Sequence, residues 1–226
     1  MLESANVISC PAALKSALTV KYAKGAVGNR VEISEGAQIA ALTIDFAGKN
    51  GFVSVAPARG VKPLHAYIRV GTNSSVIIGR NLGTTGSCMM HALAGANIVI
   101  GDDCIFAREV ELRNDDNHPI YDVHTGRRLN PARTITIGDH VWLARRVAVL
   151  RGTNIGNGCI VGLGSIVRGT FPNNCTIAGV PAKIVRRNVA WKRHEGAPAL
   201  CWSPTVGDES QLRWWQRLLR KIIRRA

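Results

Sequence analysis

His118 is the residue in this sequence best suited to acid–base chemistry. Histidine is the side chain that can both accept and release a proton under physiological conditions, so this residue type can take a proton from a hydroxyl group. Asp115, Asp116 and Asp122 lie close to it in the sequence, and a carboxylate can orient an imidazole and stabilise its protonated form. This pattern predicts a general base, with a solvated loop histidine as the alternative.

A six-residue repeat follows His118 and predicts a parallel β-helix. Between Ile137 and Val167 every sixth residue is aliphatic and branched, and the fifth position of each repeat is small or β-branched. A run with the same spacing extends from Val70 to Leu112. An α-helix cannot use this period, whereas each repeat of a parallel β-helix forms one strand and one corner. We therefore expect an all-β fold, with strands of successive coils about 4.8 Å apart.

The repeat loses its register between Leu112 and Ile137. The residues between them are polar and rich in Asn, Asp, His and Pro. We expect 113–134 to form an excursion loop outside the coil, and loops on rigid scaffolds commonly carry catalytic residues. His118 lies in this loop.

The sequence resembles the left-handed β-helix acetyltransferases, and most closely the O-acetyltransferases of bacterial capsule, lipopolysaccharide and polysialic acid. The motifs that carry the resemblance are DNHPI at 116–120, TG at 125–126, IGDHVW at 137–142 and AGVPAK at 178–183. The resemblance implies a left-handed coil and a homotrimer with active sites in the clefts between subunits. It also implies acetyl-CoA-dependent O-acetylation of a carbohydrate acceptor in surface polysaccharide biosynthesis.

The same resemblance assigns catalytic roles to three residues. His118 is the base, and Asp116 is the acid expected to orient it. Trp142, which the repeat places on the outside of the coil, accompanies the loop histidine in the polysialic-acid branch. Its indole can stack on the acceptor, and its N–H can help to hold the thioester. Packing within the trimer is the alternative for Trp142.

Acetyl-CoA is the acetyl donor that the resemblance implies, with its pantetheine arm in a groove along the coils. Ala144 and Gly162 carry little bulk, so the backbone can approach this arm closely. Three cationic side chains can meet the phosphates: Arg168, Lys183 and Arg186. Arg145 and Arg146 depart from the family pattern, and they either change the groove or add phosphate-binding charge.

The net charge of +14 predicts an anionic partner. Coenzyme A fits this requirement through its phosphates, and we expect no nucleic acid partner. The six cysteines form no C-x-x-C pair, and the N-terminus lacks the features of a signal peptide. We therefore expect a cytoplasmic protein with reduced thiols. The uncharged stretch from Asn81 to Gly101 keeps the repeat register, so we do not expect it to span a membrane.

The sequence predicts four regions: an irregular N-terminal segment at 1–30, the β-helix at 31–187, a linker at 188–207 and a basic amphipathic helix at 208–226. At 100° per residue, the apolar side chains of 208–226 lie on one side of that helix and the basic ones on the other. Such a helix suits an anionic membrane surface, so we expect a peripheral position on the inner face of the cytoplasmic membrane. Docking of the helix on the trimer is the alternative.

Other functions remain open at this point. One is an acetyltransferase for a small acceptor, such as an antibiotic, serine or a free sugar. Another is a zinc protein similar to gamma-type carbonic anhydrase, which needs three converging histidines. The candidates are His118, His124 and His140, but their spacing lacks the closely spaced pair of that family, and we expect no metal. The last is a non-enzymatic scaffold.

Overall fold

A coil of short β-strands makes up residues 5–196, the part of the chain that the computed structural model describes. In chain order the strands are β1 (Val7–Ser9), β2 (Leu18–Tyr22), β3 (Arg30–Ile33), β4 (Ile39–Phe46), β5 (Phe52–Val55), β6 (Leu64–Val70), β7 (Ser75–Ile78), β8 (Gly83–Thr84), β9 (Cys88–Ala92), β10 (Ile98–Ile100), β11 (Ile105–Phe106), β12 (Glu111–Arg113), β13 (Ile135–Ile137), β14 (Trp142–Leu143), β15 (Ala148–Leu150), β16 (Asn154–Ile155), β17 (Ile160–Val161), β18 (Ile166–Val167), β19 (Thr170–Phe171), β20 (Cys175–Gly179) and β21 (Ala182–Arg187). A 3₁₀ helix, Ala12–Ala17, lies between β1 and β2.

The strands stack into three sheets that form the faces of a three-sided prism. Face A contains β1, β3, β5, β7, β10, β13, β16 and β19; face B contains β2, β4, β6, β9, β12, β15 and β18; face C contains β8, β11, β14, β17, β20 and β21. Paired strands are parallel except β20 and β21, which pair antiparallel. From β7 onward each coil passes from face A to face C and then to face B. The predicted left-handed β-helix is thereby confirmed.

The core of the prism consists of the aliphatic side chains that the repeat placed inside. On face A, Val53 pairs with Val76, Val76 with Ile98, and Ile98 with Ile135. All four side chains are fully buried. Because each coil contributes an equivalent residue, the apolar stack is continuous and its burial is the main stabilising contribution.

Glycines occur just before the corner between faces A and C. There, side chains link the corners of successive coils and need the space that a Cβ atom would fill. The backbone N–H of Asp102 donates to Oδ1 of Asp139 at 2.7 Å, and the N–H of Asp139 donates to Oδ1 of Asn157 at 2.7 Å. A Cβ atom on Gly101 would lie 2.6 Å from the Asp139 carboxylate. Glycine at this repeat position therefore makes room for the hydrogen bonds that connect one coil to the next.

The coil begins earlier than the sequence predicted. The irregular segment expected at 1–30 contains β1 and β2, which pair in parallel with β3 and β4. The apolar residues of β2 alternate with polar ones as a half-buried strand requires, although no six-residue register marks them. At the other end, 188–196 of the expected linker lie against the coil. The rest of that linker and the predicted helix at 208–226 lie outside the described residues.

The five cysteines of residues 5–196 are free thiols, as predicted. Burial raises the pKa of the Cys88 thiol to about 12, and it does the same for Cys159. These thiols therefore stay protonated and serve as packing residues. Across this described part of the chain, no helix combines the length and apolarity that a membrane crossing requires.

Candidate active site

The excursion loop leaves the prism at the corner between faces B and A, after β12 and before β13. Asn114 closes its base: its carbonyl oxygen accepts the N–H of Arg133 at 3.0 Å. The side-chain oxygen of Asn114 accepts the N–H of Leu93 at 2.8 Å, in the coil before. Since Asn114 is fully buried, this side chain fixes the loop to its corner.

The backbone of His118 is held on both sides, while its side chain is exposed. Its N–H donates to the carbonyl oxygen of Asp116 at 2.7 Å, and its carbonyl oxygen accepts the side-chain amide of Asn130 at 2.8 Å. Within residues 5–196 the imidazole makes no hydrogen bond. The ring of His118 is therefore displayed from a fixed backbone with both nitrogens open to a ligand.

Asn130 connects the two strands of this loop and was missed by the sequence reasoning. Its side-chain oxygen accepts the N–H of Ile120 at 2.6 Å, and its amide donates to Oδ2 of Asp116 at 3.0 Å. It is 1% exposed. A polar residue twelve positions from His118 carried no local signal, because its partners meet it only in the folded loop.

The carboxylate of Asp116 is bound by two residues other than His118. Nε of Arg151 donates to Oδ2 at 3.1 Å, and Asn130 donates to the same oxygen. The carbonyl of Asp116, rather than its carboxylate, contacts His118. The predicted orienting role of this carboxylate stays a prediction, while its hydrogen bonds fasten the loop.

Beyond Asp116 the loop forms a small hairpin, with a bridge between Tyr121 and Arg128. At its tip the carboxylate of Asp122 accepts the N–H and the hydroxyl of Thr125, at 2.7 and 2.9 Å. These hydrogen bonds hold the pKa of Asp122 below its ordinary value. The hairpin exposes four apolar side chains: Ile120, Tyr121, Val123 and Leu129. His124 lies exposed at the tip, as a surface residue does.

Trp142 points out of face C, as the repeat predicted, and is 40% exposed. Its ring centroid lies 6.1 Å from that of Trp191, with an interplanar angle of 51°. Trp191 belongs to the segment after β21. No pattern in the sequence indicates this contact, because Trp191 lies outside the repeats.

His140 is a structural residue, as the sequence indicated. It occupies the corner before β14 in a left-handed conformation (φ 53°) and is 2% exposed. Its Nδ1 lies 2.5 Å from Oδ2 of Asp103, and its Nε2 lies 3.0 Å from the carbonyl oxygen of Trp191. Across the described residues, no three candidate metal ligands converge.

The residues expected to form the pantetheine groove lie at the corner between faces C and B. Ala144 and Gly162 follow β14 and β17, which pair with each other, and the N–H of Ala144 donates to the carbonyl of Val161 at 3.0 Å. A Cβ atom on Gly162 would lie 3.1 Å from Cβ of Ala178, so the column of small residues continues into the next coil. This corner therefore has little side-chain bulk over three coils.

The charges around this corner are partly neutralised. The carboxylate of Glu109 accepts hydrogen bonds from Nη2 of Arg145 at 2.9 Å and from Nε of Arg146 at 2.7 Å. The hydrogen bonds from these two arginines hold the pKa of Glu109 below its ordinary value. Two guanidinium groups share one carboxylate, so one positive charge remains. The three side chains expected to meet phosphates, Arg168, Lys183 and Arg186, are exposed.

The catalytic candidates lie on opposite sides of a single chain. The excursion loop, with His118, is fixed to the corner between faces A and B by Asn114 and Arg151. Trp142 lies on face C, which is the face opposite that corner. One chain therefore brings Trp142 close to the groove of Ala144, but it does not bring His118 to either.

Known proteins share both this sequence and this fold. A polysialic acid O-acetyltransferase of Neisseria meningitidis is 31% identical over 212 residues, which cover 84% of this chain and 98% of that protein. A polysialic acid O-acetyltransferase of Escherichia coli O1:K1 is 40% identical over 124 residues, or 55% of this chain, and the match spans 40% of that relative's length. No protein-family model matches the chain.

A solved structure extends the likeness to the fold. The crystal structure of the polysialic-acid-specific acetyltransferase NeuO superposes with a TM-score of 0.73 at 32% identity, covering 86% of this chain and 81% of that one. Sequence identity above 30%, together with a shared coil of this length, indicates a common evolutionary origin. The chain belongs to the hexapeptide-repeat acetyltransferases of the left-handed β-helix fold.

Proposed function

We propose that this protein is an acetyl-CoA-dependent O-acetyltransferase that acts on a carbohydrate hydroxyl of a bacterial surface polysaccharide. The observation that carries the proposal is the exposed imidazole of His118, displayed from a loop that buried Asn114 and Asn130 hold rigid. A general base must reach the proton it abstracts from a fixed position. The relatives are O-acetyltransferases of polysialic acid, which supports a saccharide acceptor.

The corner between faces C and B fits the acetyl donor. The small side chains of Ala144, Gly162 and Ala178 leave the backbone open along the coils, and Lys183 and Arg186 present positive charge beyond β20 for phosphate groups. When bound there, acetyl-CoA supplies the acetyl group as a thioester. These residues hold and orient the donor, and none of them needs to change its protonation state.

The chain's own part in the reaction is proton transfer and orientation. His118 accepts the proton of the acceptor hydroxyl as the oxygen forms its bond to the acetyl carbon, and the same proton is then available for the departing sulfur. Trp142 offers an apolar ring for the sugar and an N–H for the carbonyl oxygen. Asn130 and Arg151 keep the loop in place, so the base does not have to be ordered in each turnover.

The active protein in this proposal is a homotrimer. Because His118 and Trp142 lie on opposite sides of one prism, a site containing both requires the loop of one protomer to reach face C of the next. The exposed apolar hairpin, with Tyr121 and Val123 at its surface, gives the loop a face for such a contact. A heterologous contact of this kind closes after three copies in a cyclic trimer.

The tail at 208–226 is proposed to hold the trimer at the inner face of the cytoplasmic membrane. Its sequence places six basic residues opposite an apolar face. We expect the full-length protein to bind liposomes with anionic lipid at low salt, and more weakly at high salt. Deletion of 208–226 should abolish this while sparing acetylation of a soluble acceptor. If neither protein binds, the tail has another role.

An acceptor screen tests the proposed activity. The purified protein is incubated with acetyl-CoA and a panel of oligosaccharides, free sugars, serine and antibiotics, and products are identified by their added acetyl mass. Transfer to a saccharide that is lost in His118→Ala supports the proposal. Transfer only to small acceptors would favour the second enzymatic function, and failure to bind coenzyme A would favour a scaffold.

A further inference from the structure

The segment 188–196, here called the C-terminal strap, runs along the corner between faces A and C. The N–H of Val189 donates to the carbonyl oxygen of Asn174 at 3.0 Å, in the last coil. Two residues on, Trp191 contacts His140, which belongs to an earlier coil. Arg193 reaches the coils of Asp103 and Asn81, donating to their carbonyl oxygens at 2.9 and 3.4 Å. The strap thus ties together coils far apart in sequence.

Trp191 is the centre of this strap. Its ring stacks on the His140 imidazole, with centroids 3.8 Å apart and planes 13° apart. Its indole N–H donates to the carbonyl oxygen of His140 at 2.9 Å, and its own carbonyl oxygen meets Nε2 of that histidine at 3.0 Å. Trp191 is 7% exposed, and the stacking and the indole hydrogen bond to His140 hold its ring in place.

Charged groups hold the strap from the other side. Nη2 of Arg193 donates to Oδ1 of Asp103 at 2.8 Å, and the second carboxylate oxygen meets Nδ1 of His140. Burial alone would raise the pKa of Asp103, but the hydrogen bond from His140 and the charge of Arg193 outweigh it and hold that pKa below its ordinary value. An ionised carboxylate therefore joins the strap to the corner that precedes Trp142.

Trp142, in contrast, has little to fix its ring. It is one of two residues in β14, it faces outward, and its indole makes no hydrogen bond within residues 5–196. Among the described residues, the aromatic contact of Trp142 is with Trp191. A half-exposed indole without such a neighbour would occupy several rotamers, and a ligand would have to select one of them.

We propose that Trp191 is a positioning residue that fixes the orientation of the Trp142 indole for the acetyl-transfer site. The proposal rests on the proposed function of Trp142. His140 and Asp103 hold Trp191 in place, and the tilted ring of Trp191 limits the rotamers of Trp142. Trp191 affects activity through its contact with Trp142. Misplacement of a group that orients substrate can lower turnover by up to about 10²-fold.

A double-mutant cycle tests this coupling. Trp191→Ala should lower kcat/KM for the acceptor roughly tenfold, within the range that misplacement produces, and leave the affinity for coenzyme A unchanged. In a Trp142→Ala background the same substitution should have no further effect on activity. The neighbouring Lys192→Ala, an exposed strap residue, is the matched control and should be silent. An equal loss from Trp191→Ala in both backgrounds, or no loss in either, would overturn the proposal.

A spectroscopic measurement tests the contact between Trp191 and Trp142 independently of the proposed activity. In protein labelled with 5-fluorotryptophan, the ¹⁹F resonance of Trp142 is assigned by its loss in Trp142→Phe. Trp191→Ala should shift or broaden that resonance, and the milder Trp191→Phe serves if the alanine variant does not fold. An unchanged Trp142 resonance would overturn the positioning role. A changed resonance together with normal turnover in Trp142→Ala would uphold the ring contact and reject the catalytic use of Trp142.

Discussion

Nε of Arg151 lies 3.1 Å from Oδ2 of Asp116 and joins the excursion loop to the next coil of the prism. The Arg151 side chain is 10% exposed, whereas that of Asp116 is 41% exposed. Nη1 of Arg151 also donates to the carbonyl oxygen of Pro131 at 3.4 Å, on the returning part of the loop. One side chain from the rigid coil therefore contacts both strands of the loop that carries His118.

This contact predicts a loss of turnover without a loss of fold. Arg151→Met keeps the length of the side chain and removes both hydrogen bonds, so the loop should sample more positions. We expect kcat to fall by up to roughly 10²-fold, as misplaced catalytic groups cause. The Tm should be nearly unchanged, because the Asp116 carboxylate left behind is 41% exposed and can bind water instead. Arg127→Met, on the exposed hairpin, is the control. Equal effects of the two variants on kcat would contradict this role of Arg151.

His118→Ala should reduce kcat by roughly 10²–10⁴-fold, the usual contribution of a positioned base. Coenzyme A affinity, measured by calorimetry, should be unchanged because the residues proposed to hold the donor, including Ala144 and Gly162, are intact in this variant. His124→Ala removes an exposed histidine from the same loop and should keep normal activity. Near-normal turnover of the His118 variant would reject the base assignment.

The opposite placement of His118 and Trp142 predicts complementation between subunits. In the proposed homotrimer, a mixture of His118→Ala and Trp142→Ala chains should recover activity, since some of the proposed clefts combine an intact loop with an intact face C. Random mixing in equal amounts restores about one quarter of the sites in a cyclic trimer. Activity is compared before and after subunits are exchanged. If mixing restores nothing, both residues act within one chain or one of them is dispensable.

Trp142→Ala should damage turnover and leave the Tm within a few degrees, because the side chain is 40% exposed and outside the core. The next residue, Leu143, is fully buried, and Leu143→Ala should instead cost about 2–5 kcal/mol of unfolding free energy. Thermal denaturation and steady-state kinetics are measured for both variants. The comparison distinguishes a loss of activity at the surface from a loss of stability in the core. A large stability loss in the Trp142 variant with intact specific activity would assign it to packing.

The Asp103 carboxylate predicts a pH dependence of stability. Its pKa in the folded protein lies below the ordinary value of 3.8, so the unfolded chain binds this proton first as pH falls. The stabilisation is complete above the ordinary pKa and is lost as pH falls through the folded pKa. Asp103→Asn should therefore be less stable than wild type at pH 7, and the difference in Tm should narrow in acid. A difference that stays constant would contradict the linkage.

The sequence by itself determined the coil, its register and the position of the loop. A period of six residues identifies inward side chains such as Val161 and outward ones such as Trp142. Each repeat places the same positions inside and outside the coil as the repeat before it. The break in that period marked the loop and its histidine for the same reason. The N-terminal strands escaped this logic, since β1 and β2 pair with the coil without carrying its repeat.

Only the tertiary structure decided how the site is supported. Asn130 lies 14 residues from Asp116, Arg151 lies 35 residues from it, and His140 lies 51 residues from Trp191. No local pattern identifies such partners, because each bond depends on which corner of the prism a residue occupies after the coil has closed. The same closure places His118 and Trp142 on opposite sides of one chain, which follows from the order of faces A, C and B and from no property of either residue.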